Sequence, residues 1–290
     1  MGWRTVIVDS RCKLAYKNGY IVLKKEKDVL IHLSEIDVLV VATTQVTFTC
    51  VALAELIKSK VKIIFCDEKH NPLCETTAFY GCHNTSKKML NQIKWTQQIK
   101  GRVFAEIIKQ KIINQATLLR NRKRLEDAEK LESFSKEVEF GDITNREGHA
   151  AKIYFRALFG DDFSRGKFDL KNSALDYGYT ILLSYISREI VSNGYVTQIG
   201  INHCNEFNPF NLSSDFIEPF RPIIDEIVAT EPPDKILSKE YKYRLIGVLS
   251  AKISFCDKQT FLSNAMTVSI KSILDCLDSE DLTKLKLFKL

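Results

Sequence analysis

Asp215 and Glu218 stand three residues apart in the segment Ser214-Asp215-Phe216-Ile217-Glu218-Pro219-Phe220-Arg221-Pro222. On a helix that spacing puts two carboxylates on one face, where like charges cost stability unless a cation offsets them. The backbone there is unusual as well. Pro219 and Pro222 have no N–H to give to the carbonyls four residues earlier, which belong to Asp215 and Glu218, so a distorted helix with an acidic face is expected. Two other segments carry suitable side chains: 145–155, with Arg146, Glu147 and Tyr154, and 200–203, which ends on His203. Carboxylates with one imidazole suit Mg2+ or Mn2+, and oxygen-rich sites of this kind activate phosphodiesters.

Each position also has a plainer explanation. Thr144 and Glu147 fit a capping box, in which Glu147 would satisfy backbone donors at a helix start. A histidine in a loop, such as His203, is often only a packed or hydrogen-bonding residue. Asp215 near a helix start complements the helix dipole. Arg146 and Arg221 adjoin the acids and could neutralise phosphate, although Arg221 could equally pair with Asp225 one turn on. Tyr154 could contact DNA or fill the core.

The elements that must position these groups fall into two halves. Thr5 to Val8, Lys13 to Tyr16 and Tyr20 to Leu23 read as strands, and Asn18-Gly19 between the last two is a hairpin turn. Val29 to Leu33, Ile36 to Val41, Val61 to Phe65 and Leu73 to Thr77 continue the pattern, interrupted by one helix over Thr49 to Lys60. After residue 84 the hydrophobic period shifts toward 3.6. Helices are expected over Lys87 to Lys130, Glu147 to Phe159, Ser173 to Asn193, Ser213 to Ala229, Ser238 to Ser254 and Lys258 to Leu277. The fold class is therefore α+β. A β-strand-rich N-terminal domain (1–83) precedes a larger all-α C-terminal domain (84–290), with the boundary near Phe79 to Ser86.

The 290 residues carry 45% hydrophobic and 27% charged side chains, the profile of a soluble protein large enough to bury its own core. The apolar runs are too short to span a bilayer and no signal segment opens the chain, so a cytoplasmic location is expected. The eight cysteines read as reduced thiols. Cys66, His70, Cys74, Cys82 and His83 lack a tight CxxC knuckle, and a strand–turn–strand explains them better than zinc. The formal charge of +6 is mild. Between Lys87 and Lys130, however, lie Lys94, Lys100, Arg102, Lys109, Lys111, Arg120, Arg122, Lys123 and Arg124, an excess of one sign that suggests a phosphate-binding face.

Together the motifs resemble the CRISPR-associated endonuclease family one, the integrase of spacer acquisition. Its pattern E-G-x-A-A-x-x-Y-F falls on Glu147 to Phe155. A run similar to N-A-L-x-Y-G-Y-x-x-L spans Asn172 to Leu182, with Ser173 inserted. G-x-x-H falls on Gly200 to His203, and D-x-x-E-P-F-R-P on Asp215 to Pro222. The short Cys204-Asn205-Glu206 connection resembles the compact form found beside type II effector nucleases. The resemblance implies that Glu147, His203 and Glu218 are catalytic and hold Mg2+ or Mn2+, with Asp215 a secondary acid. It further implies that a 3′-hydroxyl of a double-stranded DNA fragment attacks the CRISPR repeat DNA, once per strand. A homodimer joined through the β half is implied, bridged by a small adaptation partner dimer alongside other type II adaptation proteins. Ligand residues alone leave open a structure-selective nuclease that hydrolyses branched DNA. A non-catalytic DNA-binding scaffold is a further reading, and the intact acids and histidine count against it.

Overall fold

Short runs rich in apolar residues build the first part of the chain. They form β1 (Arg4–Val8), β2 (Cys12–Lys17), β3 (Tyr20–Lys24), β4 (Val29–His32), β5 (Ile36–Val41) and β6 (Val46–Phe48). The helix α1 (Cys50–Lys58), capped by the Thr49 hydroxyl on the Ala52 N–H at 3.2 Å, leads into β7 (Lys62–Cys66) and β8 (Pro72–Glu75). The computed structural model describes residues 2–76 and 82–290. Thr77 and the stretch 79–81, expected in the last strand and at the boundary, lie outside the described residues. Asn18 and Gly19 both take positive φ, 49° and 84°, as a two-residue hairpin turn requires. They close β2 onto β3 with Lys17 opposite Tyr20. The sequence reading did not foresee β6, three residues long and parallel to β2.

Two four-stranded sheets result, one in the order β1-β5-β7-β8 and the other β4-β3-β2-β6. Alternation along the strands decides which core each residue serves. Val6, Val8, Leu39, Val41 and Ile63 pack with Leu14, Ile21 and Leu23 of the other sheet and with Ala52 and Leu56 of α1. Val38, Val40, Ala42, Ile64 and Cys66 turn the opposite way and join the core of the helical half. β5 is buried at every position, which is why it reads as an unbroken apolar run rather than an alternating one.

The helical half contains α2 (Thr85–Lys94), α3 (Gln97–Asn121), α4 (Leu125–Lys136), α5 (Arg146–Phe159), α6 (Leu170–Ser192), α7 (Asn211–Phe216), α8 (Arg221–Thr230) and α9 (Lys239–Gly247). The expected Lys87 to Lys130 helix is thus three helices. Two expected helices are also corrected. Ser238 to Ser254 stops being helical before Lys252, and Lys258 to Leu277 begins as a strand. β9 (Lys252–Phe255) and β10 (Lys258–Phe261) pair antiparallel before α10 (Leu262–Ser279). Cys256 and Asp257 make the turn with φ of 49° and 60°. The period-two pattern of Ile253 and Phe255 decided the structure over the helical spacing around it. No helix among the described residues is long and apolar enough to cross a membrane.

α3 runs through the middle of the helical core, with Phe104, Ile107, Ile108, Ile112 and Leu118 all buried. One turn of it also ties distant segments together. The fully buried Asn114 donates to the carbonyls of Pro219 at 2.8 Å and Phe288 at 3.0 Å, and accepts from the Leu290 N–H at 3.1 Å. Phe288 stacks on Phe220, with ring centroids 5.5 Å apart. The tail at 288–290 is therefore part of the packing around α8.

A buried ionic cluster joins the sheet to α6. Arg188 reaches Asp37 of β5 at 2.8 Å and Glu189 at 2.7 Å, and its guanidinium lies 4.2 Å from the centre of the Tyr185 ring. Removing one partner from such a group leaves a poorly compensated charge in a dry place. Asp37→Ala is expected to cost about 3 kcal/mol of folding stability, measured by urea unfolding. A loss below about 0.5 kcal/mol, the range of surface substitutions, would contradict this account of the seam.

Candidate functional site

The start of α5 is arranged so that the Glu147 side chain has no capping work to do. The capping box from Thr144 does not form. Asn145, in the left-handed region at φ 52°, caps the helix by accepting from the Gly148 N–H at 3.2 Å. The Asp142 carboxylate accepts from the N–H groups of Arg146 at 2.8 Å and Glu147 at 3.0 Å. With these orphan donors satisfied, the Glu147 carboxylate turns to Lys111 on α3, whose ammonium lies 2.5 Å away.

Glu218 arrives at the same ammonium from the other side. The helix breaks where the two prolines deny it hydrogen bonds: α7 ends at Phe216, Glu218 to Phe220 form one 3-10 turn, and α8 starts at Arg221. The break separates Asp215 from Glu218, so the two acids do not share a cation. Glu218 pairs with Lys111 on one oxygen and with the Arg221 Nε at 3.0 Å on the other. Burial works to raise the Glu218 carboxyl, and Arg221 and Lys111 outweigh it and hold it below the usual carboxylate range. Burial likewise works to lower Lys111, but Glu218 and Glu147 raise it instead. Lys111 and Glu218 thus each favour the charged form of the other.

Asp215 has a different task. Wholly buried, it accepts from the backbone N–H groups of Ile201 at 2.7 Å, Asn202 at 3.2 Å and His203 at 3.0 Å. It also pairs with the His203 ring at Nδ1, 2.7 Å away. The loop 200–203 is thus wrapped around one carboxylate. Gly200 is required by that wrapping, since a Cβ there would meet the His203 carbonyl oxygen at 2.3 Å and the Asp215 carboxylate at 2.7 Å. The Asp215 contact is the main cause that raises the His203 pKa above its ordinary value, and Glu218 and Glu147 add smaller contributions. With Nδ1 held by a carboxylate, Nε2 is the free nitrogen, the arrangement common for histidines that ligate metals.

The other candidates are placed as follows. Arg221 does not pair with Asp225. It lies over the Tyr179 ring, 4.6 Å from its centre. Asp225 accepts instead from the hydroxyls of Tyr154, at 2.8 Å, and Tyr179. Burial pushes its carboxyl up to about 6 against those two bonds. Tyr154 is fully buried and offers no surface to DNA, so the core alternative describes it. α6 can bring Tyr179 to α8 because Gly178 faces Ile224, where a Cβ would stand 2.5 Å from a side-chain methyl. Arg146 pairs with Glu137 at 3.1 Å and lies over Phe134.

Several members of the basic run of α3 and α4 have acidic partners. Lys109 pairs with Glu106, Arg120 with Glu132 and Arg124 with Asp127. Lys111 is buried in the site. It is the residue whose role the sequence reading missed, counted there among surface charges. Its signal was position, since it falls in the helical stripe Phe104, Ile107, Ile108, Ile112, where an unpaired lysine would be costly. In the former zinc candidate, Cys66 ends β7 with its thiol buried and pushed up to about 11. The His70 ring faces the Ala42 carbonyl, and Cys82 turns to Asn84.

Two carboxylates and one imidazole with a free nitrogen are a donor set that fits a hard divalent cation. Among the described residues, however, no three His, Cys, Asp or Glu side chains converge closely enough to hold a metal. Between Glu147 and Glu218 stands the ammonium of Lys111. The cluster is built around positive charge, and that charge is supplied by the chain.

A family model described as CRISPR associated protein Cas1 matches residues 5–249. The chain is 30% identical over 226 residues to the CRISPR-associated endonuclease Cas1 of Neisseria meningitidis serogroup C (strain 8013), covering 78% of this chain and 74% of that one. It is 23% identical over 286 residues to CRISPR-associated endonuclease Cas1 1 of Francisella tularensis subsp. novicida (strain U112), covering 90% and 89%. In fold it is similar to a casposase bound to integration product, with a TM-score of 0.77 at 18% identity over 98% of this chain and 92% of that chain. It is also similar to a Cas6-RT-Cas1--Cas2 complex, with a TM-score of 0.73 at 20% identity. There it covers 99% of this chain but only 36% of that longer one.

The His203–Asp215 contact makes a testable statement about pH. A histidine raised in the folded state stabilises the fold fully below its unfolded value, near 6.5. That contribution is lost as pH rises through the raised folded value. In the metal-free protein, NMR titration of His203 is expected to give a pKa above 6.5 that falls on Asp215→Asn. An unchanged value in the variant would show that the carboxylate does not govern the ring. Separately, Gly200→Ala is expected to lower stability by about 1–3 kcal/mol through overpacking, measured by thermal unfolding.

Proposed function

This chain belongs to the CRISPR-associated Cas1 family, and on that premise we propose that it is a divalent-metal-dependent DNA integrase of CRISPR adaptation. In this reading a 3′-hydroxyl of a short double-stranded fragment attacks a phosphodiester at the repeat boundary, on each strand in turn. The observation that carries the reading is the meeting of Glu147 from α5 and Glu218 from the α7–α8 break at one buried cation, beside His203. Nothing in ordinary helix packing requires a buried carboxylate and a half-buried one from different helices to meet at a single ammonium.

Glu147, Glu218 and the free Nε2 of His203 would hold Mg2+ or Mn2+. Such an ion polarises a phosphoryl oxygen and eases both formation of the alkoxide and departure of the leaving oxygen. The chain's own residues do the positioning. Asp215 fixes the His203 ring and the loop that carries it. Arg221 keeps Glu218 ionised and, half-buried at the rim with its guanidinium on Tyr179, can face a phosphate. No side chain needs to form a covalent bond to DNA.

The assembly is proposed on the same footing. The strand-rich residues 1–83 would form the homodimer contact, and residues 84–290 carry the chemistry. β4 lies at a sheet edge with Val29 and Leu30 exposed, a row of unpaired backbone groups suited to pairing. Two such dimers would be bridged by the small partner dimer. Cas1 chains occur beside Cas2 in the complex cited above, which supports that partner.

Strand transfer is the decisive measurement. A labelled short duplex with free 3′-hydroxyls is incubated with a supercoiled plasmid bearing the repeat, the protein, its small partner and Mn2+ or Mg2+. Joined products are expected, and are expected to fall to background with Glu218→Ala and with 3′-deoxy ends. Asp215→Asn should reduce them by about 10–100-fold, as loss of a group that orients a metal ligand does. Cleavage without joining, indifferent to the 3′ end, would replace this reading with a hydrolytic nuclease. DNA binding without any reaction would replace it with a scaffold.

A further inference from the structure

Lys111 is placed as no phosphate-contacting surface lysine would be. It lies in the apolar stripe of α3, nearly buried, one turn from the Asn114 clamp that fixes the Pro219 carbonyl. The residue after Glu218 is therefore fastened to the same helix that carries the ammonium. The ammonium itself touches both proposed ligands, Glu147 at 2.5 Å and Glu218. Arg221 supplies a second positive charge to Glu218. The carboxylates are therefore already neutralised by two cations of the chain. A divalent ion entering this group would bring an uncompensated double charge into a poorly solvated place, where such an excess is costly. Withdrawal of the ammonium and arrival of a phosphate each offset one of those two charges, and together they restore the balance.

We propose that Lys111 is the resident cation of the site, holding Glu147 and Glu218 together in the metal-free protein and competing with the divalent ion for the same two carboxylates. The ion then binds weakly to the free protein and tightly once DNA phosphate compensates its charge. Metal loading and substrate binding are coupled through this one side chain, which is a positioning residue rather than a catalytic one. The inference rests on the reading of Glu147, His203 and Glu218 as metal ligands, and its test separates the two.

The test is Mn2+ binding to the full chain without DNA, followed by calorimetry and by the electron spin resonance signal of free Mn2+. Lys111→Met is expected to bind Mn2+ about tenfold or more tighter than the unaltered chain. In chelator it should melt at a lower temperature than the unaltered chain, and Mn2+ should raise that temperature by more in the variant. Lys111→Gln, which keeps a donor without the charge, should behave in the same direction and serves if the methionine variant does not fold. In the unaltered chain, a short duplex with 3′-deoxy ends should tighten Mn2+ binding after subtraction of Mn2+ held by the DNA alone. Glu218→Gln is the control. If it abolishes Mn2+ binding while both Lys111 variants leave affinity unchanged or weaker, the metal site stands and the competing role of Lys111 is overturned. If Glu218→Gln leaves Mn2+ binding intact, the ion is not held by these carboxylates, and the reading of the site falls with the inference. Absence of any tightening by the duplex overturns the coupling even if neither lysine variant can be purified.

Discussion

Two carboxylates carried by different helices, one buried and one half-buried, can face each other only with positive charge between them. The rest of the site follows from that constraint. α3 delivers an ammonium into the core, α5 brings Glu147 to it from one side, and the break between α7 and α8 brings Glu218 from the other. Each approach has a local device. At α5 the caps are taken by Asn145 and Asp142, which frees Glu147. At α8 the prolines interrupt the helix just where Glu218 must turn away from Asp215.

The break also divides the work between two acids that sequence spacing had placed on one face. Asp215 satisfies three backbone N–H groups and an imidazole, and so builds a loop. Glu218 faces two cations, Lys111 and Arg221, and among the described residues touches no backbone donor. A carboxylate that accepts three backbone N–H bonds is fixed in orientation, which suits support of a loop, whereas Glu218 keeps only side-chain partners. The pair Tyr154 and Tyr179, both on Asp225, forms a third layer behind Arg221.

Much of this is legible in the amino-acid sequence. Strand patterns, the Asn18-Gly19 turn and the shift from period two to 3.6 gave the order of elements, since local periodicity reports which face is buried. The proline pair announced a distorted helix, because a missing N–H has the same effect wherever it occurs. Other features were hidden. The hairpin at Cys256-Asp257 lay between stretches whose apolar spacing also fits a helix, and short strands lose that contest when only one window is read. Lys111 was hidden because its type suggests a surface while its position in a stripe suggests the core. Only the distant partners, 36 and 107 residues away in the chain, reconcile the two. Arg221 was similar, since a helical i+4 partner in Asp225 was available on paper and a stacked tyrosine from another helix was taken instead.

The Asn114 clamp has a consequence for how the molecule comes into being. As the chain is synthesised, α3 and α5 emerge before the turn that carries Glu218 and well before residues 288–290. The Asn114 amide on the same helix keeps an unfilled share of its bonds until residues 288 and 290 arrive. Until then Phe220 lacks its stacking partner Phe288, and the turn that carries Glu218 has no lid over it. A growing polypeptide that already contains every acid and the histidine of the centre therefore still lacks the contacts that residues 288–290 make behind Glu218.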